Sequence, residues 1–134
     1  MSDNLKTAMI LFDKANEDYG VAKALSNNDG MPFYYSICFH CQQCIEKFLK
    51  VFLAYNDIEF PKIHDLGLLL GMCTDVKADF NVFDLSKFAR YGVLIRYDDT
   101  PLTLEESIEA LEMAKAVMDY VKGLIELPAG EVRL

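Results

Sequence analysis

The chain has 134 residues, the length of one ordinary domain, and is 52% hydrophobic against 25% charged, which excludes a disordered segment and allows a buried core. Its formal net charge of -8 excludes binding of phosphate backbones through bulk charge, while leaving room for a local basic patch. Met1-Ser2-Asp3-Asn4 lacks the basic start of a signal peptide, and no stretch nears the roughly 18 apolar residues of a membrane span, so the expectation is a cytoplasmic protein without a membrane partner.

Seven glycines and four prolines punctuate the sequence sparsely, and long segments with few breakers favour helices over strands. From about Asp3 to Leu25, the residues Leu5, Ala8, Phe12, Ala15, Tyr19 and Ala22 step alternately by three and four, an apolar stripe down one helix. Asn27-Asn28-Asp29-Gly30 ends it with turn-tolerant residues. Pro32 suits the first turn of a second helix running to Tyr55, where Asn56-Asp57 and Phe60-Pro61 break it. His64-Asp65-Leu66 opens a short third helix through Leu69 and Met72, with Asp65 facing the positive end of the dipole. Asp84 to Arg96 reads as a fourth helix, weakened by Gly92. After the loop Tyr97-Asp98-Asp99-Thr100-Pro101, Thr103 and Glu106 have the spacing of a capping box. The last helix then carries Leu104, Ile108, Leu111, Ala114, Met118, Val121 and Ile125 on one face, and Pro128-Ala129-Gly130 begins a tail. With no internal repeat and no linker, residues 1–134 read as one all-α bundle, its core spanning about 3–126 and its tail 127–134.

Helix two separates into two faces when its residues are placed at about 100° per step. Ile37, Cys38, Cys41, Cys44, Ile45, Phe48 and Phe52 form the apolar side. Opposite lie Ser36, His40, Gln43, Glu46, Lys47 and Lys50, with Phe39 and Gln42 at the border. Such a stripe is a solvated surface, a buried polar network, or the wall of an interface or pocket.

The run Phe39-His40-Cys41-Gln42-Gln43-Cys44-Ile45-Glu46-Lys47-Phe48-Leu49-Lys50 resembles the signature of the HEPN domain family, which reads phenylalanine-histidine-small-glutamine-glutamine, then glutamate-lysine, then leucine-lysine. His64-Asp65-Leu66 resembles that family's step before its third helix, and Arg96-Tyr97-Asp98 the step before its last long helix. Cys41 and Cys44 stand where small residues such as alanine are usual. The resemblance spans about Leu5 to Ile125 and implies an up-and-down bundle of four or five helices that often pairs into homodimers. It implies further that the chain works as a toxin or accessory partner of a separate small nucleotidyltransferase, or binds a nucleotide itself. One branch of the family is a metal-independent ribonuclease with an arginine followed, after four to six residues, by a histidine.

That ribonuclease motif is missing. The histidines are His40 and His64, and the first arginine is Arg90, behind both. RNA cleavage by acid–base chemistry needs a proton acceptor and a cation for the phosphate, which leaves His40 with Lys47 as a non-standard pair. Cys38, Cys41 and Cys44 recur every three residues, but all point to the core of a continuous helix, with Cys73 far along the chain. They read as small hydrophobes, so no metal, cofactor or disulfide is expected. Arg96 projects to the apolar side of its helix and needs a carboxylate, with Glu46, Asp98 and Glu106 as candidates; it either fixes that helix or clamps a phosphate. His64 is read as the cap of the turn before the third helix or as a secondary ligand contact. The expectation is a non-catalytic interaction module whose ligand- or partner-binding residues are Phe39, His40, Gln42, Gln43, Glu46, Lys47, Lys50, His64 and Arg96. A nucleotide-binding module and an RNA-cleaving toxin are the alternatives.

Overall fold

In the computed structural model, which describes residues 1–27, 32–88 and 101–128, the first helix begins where the Ser2 hydroxyl accepts the Leu5 N–H at 3.1 Å. This helix, α1 (Asp3–Ser26), turns Ala8, Ala15 and Ala22 fully inward, one every second turn, on the stripe expected from sequence. Small residues at that spacing let a neighbouring helix approach closely. The neighbour is α2 (Tyr34–Tyr55), which runs antiparallel to α1: Phe12 meets Phe48 edge-on at 6.0 Å, and Asp18 meets His40. α2 starts two residues later than expected, because Phe33 and not Pro32 supplies the first helical acceptor, its carbonyl taking the Ile37 N–H at 2.9 Å. Its end is set by Asp57, whose φ of 59° lies in the left-handed region that aspartate tolerates.

α3 (Leu66–Val76) is capped by Asp65, whose carboxylate accepts the Leu68 N–H at 3.0 Å. A short 3-10 helix at Ala78–Val82 follows, which sequence periodicity did not reveal because one turn is too short to show a period. It delivers Phe80 into the core, 4.7 Å from the Phe52 ring and 5.1 Å from Tyr120. The fourth expected helix is corrected at its start. Asp84 to Phe88 form a turn, not an α-helix, since the Asp84 carboxylate accepts both the N–H and the hydroxyl of Ser86 and the Phe88 N–H bonds Leu85. The rest of that expected helix, Arg96 included, and the tail beyond Pro128 lie outside the described residues.

α4 (Leu104–Leu124) opens with the capping box read from Thr103 and Glu106. Its buried line is Ser107, Ala110, Ala114, Val117, Met118 and Val121. The expected stripe is therefore rotated, and Leu104 and Ile108 stay 51% and 45% exposed. Ser107 goes inside because its hydroxyl donates to the Leu104 carbonyl at 2.7 Å and leaves no polar atom stranded. α2 packs against α1, α3 and α4, which makes it the central helix of an all-α bundle; no strand occurs among the described residues. No helix among them is long and apolar enough to cross a membrane.

Among the described residues one buried side-chain polar atom has no partner, the Tyr120 hydroxyl, whose ring meets Phe80 and Phe83 edge-on. A stranded hydroxyl costs about 1–3 kcal/mol. Tyr120→Phe is therefore expected to leave the melting temperature unchanged or raise it, and a melting curve checks this; a clear drop would show that the hydroxyl is bonded.

Candidate functional site

The polar stripe of α2 is not a free solvated face. Glu46 is 2% exposed and Gln42 is fully buried, although both carry strongly hydrated groups. Burying a carboxylate is costly unless partners replace its water. Glu46 has three. Lys50, one turn on, donates Nζ to Oε2 at 3.1 Å, and His64 Nδ1 lies 2.9 Å from Oε2 and 3.1 Å from Oε1. Gln42 Nε2 reaches Oε1 at 3.4 Å, and Gln43 Nε2 in turn donates to Gln42 Oε1 at 2.7 Å. The two amides thus donate in sequence, Gln43 to Gln42 and Gln42 to the Glu46 carboxylate that accepts at the buried end.

On the other flank the anchor is Asp18 of α1. It accepts from His40 Nδ1 at 2.9 Å on one oxygen and from Lys47 Nζ on the other. Each histidine of the chain is thus tied by Nδ1 to a carboxylate that also holds a lysine, so two similar clusters flank the outward line of α2. Tyr35 and Phe39 extend that line as a nearly parallel ring pair, 6.4 Å between centres and 13° between planes, with Phe39 edge-on to His40.

The structure gathers Gln42, Gln43, Glu46, Lys50 and His64 into one cluster and Phe39, His40 and Lys47 into another around Asp18, while Arg96 lies outside the described residues. One expectation is corrected. His64 does not cap α3, which Asp65 does; it closes over Glu46. The expected pairing of Arg96 with a carboxylate lies outside the described residues; within them Glu46 is held by His64, Lys50 and Gln42, and Glu106 takes part in the α4 capping box. Asp18 was missed because it belongs to another helix. Its signal was present: Asp18 lies three residues after Ala15 and four before Ala22, beside the buried line.

Cys38, Cys41, Cys44 and Cys73 are not joined in disulfides, and all four are fully buried. Burial pushes the Cys44 and Cys73 thiols up to about 12 and Cys41 higher still. Cys73 donates weakly to the Leu49 carbonyl at 3.5 Å. Such thiols pack and do not react. Among the described residues no group of three or more histidine, cysteine, aspartate or glutamate side chains is placed to hold a metal ion.

A family model described as HEPN domain matches residues 8–124 of this chain. A curated protein of Methanocaldococcus jannaschii named "Putative toxin MJ1304" is 26% identical over 141 residues, covering 92% of this chain and 91% of that protein. No solved structure matches the chain.

Proposed function

The chain belongs to the HEPN domain family, and on that premise we propose that it is a non-catalytic helical interaction module, a cytoplasmic homodimer working with a separate nucleotidyltransferase in a toxin–antitoxin-like pair. The observation that carries this reading is the way Asp18 and Glu46 hold the outward side chains of α2 in place. A surface fixed before its partner arrives loses less side-chain freedom on binding, where each ordered side chain costs about 0.5–1.5 kcal/mol. The toxin in the name of the Methanocaldococcus jannaschii relative supports the toxin–antitoxin setting.

Cleavage of RNA is the weaker reading. The nuclease branch needs an arginine shortly before its histidine, and here every arginine follows both histidines. His40 keeps Nε2 free of the Asp18 bond, and the three arginines lie outside the described residues. Incubating the full chain with RNA in chelator is expected to give no cleavage above background. Specific cleavage that vanishes in His40→Ala and survives in Glu112→Ala would contradict this. The stacked pair Tyr35–Phe39 favours one second reading, a planar nucleotide base bound against the same line of α2. Calorimetry with ATP, GTP and oligoadenylate separates it from a purely protein-binding surface.

A further inference from the structure

We propose that Glu46 is the docking acceptor for an arginine of the partner protein, which takes the place of the His64 imidazole. The assignment rests on the reading of this chain as an interaction module and adds the chemistry of the contact.

The geometry of the carboxylate leads to it. Both Glu46 oxygens are turned toward one nitrogen, His64 Nδ1, at 3.1 and 2.9 Å. A single N–H cannot serve two oxygens well. A guanidinium offers two parallel N–H donors at the spacing of a carboxylate's oxygens and forms shorter, charge-assisted bonds. The imidazole is also a removable cover. Its side chain is 68% exposed while that of Glu46 is 3% exposed, so it stands between the acid and solvent on a segment that joins α2 to α3. Turning aside a side chain that is itself mostly exposed frees the Nδ1-facing side of the carboxylate and moves no core residue.

The surroundings suit a guanidinium. Lys50 Nζ donates to Oε2 and lies over the Phe60 ring, 5.8 Å from its centre, so the acid already sits in surroundings that accommodate a cation. The net charge of -8 draws a basic partner toward this chain. A divalent cation fits less well, since the described residues bring no third metal-ligating side chain to Glu46 and His64.

The test is an NMR titration of the full-length protein with N-acetyl-arginine amide and, separately, N-acetyl-lysine amide. The arginine probe is expected to give saturable shifts at Glu46, Lys50 and the His64 ring. Binding of the lysine probe, and of the arginine probe to Glu46→Gln, is expected to be about tenfold weaker, the loss of one bidentate charge-assisted contact. His64→Ala, which leaves the buried acid in place, is expected to bind the arginine probe several-fold more tightly. Equal binding of the two probes by the wild type, absence of saturable shifts, or unchanged affinity in His64→Ala overturns the assignment. A nucleotidyltransferase that co-purifies with a chain showing no such shifts would overturn this assignment alone and leave the module reading standing.

Discussion

Glu46→Ala is expected to lower the unfolding free energy by about 3–5 kcal/mol, the usual cost of removing one member of a buried ion pair. The loss arises from what remains. Lys50, with 12% of its side chain exposed, keeps its charge without the carboxylate, and Gln42, fully buried, loses the acceptor for its amide. His64 loses the contact that ties the segment between α2 and α3 to the central helix. Glu46→Gln keeps acceptor oxygen and shape and is expected to lose roughly half as much. Glu112→Ala, on the exposed face of α4, is expected to stay within about 0.5 kcal/mol. Urea unfolding of the three variants checks the order, and a Glu46→Ala protein as stable as Glu112→Ala would mean that the cluster is ordinary surface.

Alkaline pH is expected to destabilise the fold steeply through the buried cysteines. Burial raises Cys44 and Cys73 from the ordinary 9.0 to about 12, and raises Cys41 further. A thiol raised in this way stays neutral in the folded state while its unfolded counterpart ionises. Its stabilising contribution is whole below pH 9 and is lost as pH climbs from there toward 12. Each such thiol approaches a loss of about 1.4 kcal/mol per pH unit once its unfolded form is fully ionised, and the three together remove about 3 kcal/mol between pH 9 and 10, where that ionisation is still being completed. Equilibrium unfolding at pH 7, 9 and 10 measures the slope. Cys44→Ala is expected to flatten it by one thiol's share; an identical slope in that variant would assign the loss to other groups.

Much of the bundle was legible because helical periodicity is strong where one face is buried. The inward line Ala8, Ala15, Ala22 and the apolar side of α2 followed from spacing alone, and the Thr103–Glu106 box from two residues. Spacing failed where a polar side chain finds its partner inside. Ser107 is buried because its hydroxyl bonds the backbone one turn back, and that rotates the buried line of α4 away from Leu104 and Ile108. The same physics governs the candidate site. The sequence marked Glu46 and Gln42 as polar, yet their burial depends on Lys50 and on a histidine 18 residues away. Asp18, the second anchor, sits 22 residues from His40 on a different helix, so only tertiary packing reveals the pair.

The central claim, that the outward line of α2 is a fixed surface for a nucleotidyltransferase, is tested most directly by affinity purification of the tagged full chain from its native host. The retained proteins are identified by mass spectrometry for wild type, Phe39→Ala, Gln43→Ala and Glu112→Ala, each first shown to melt as a folded protein. The account predicts a nucleotidyltransferase retained in near-equal ratio by wild type and Glu112→Ala, and lost or strongly depleted in Phe39→Ala and Gln43→Ala. Retention by all four alike, or no nucleotidyltransferase with any of them, would contradict it.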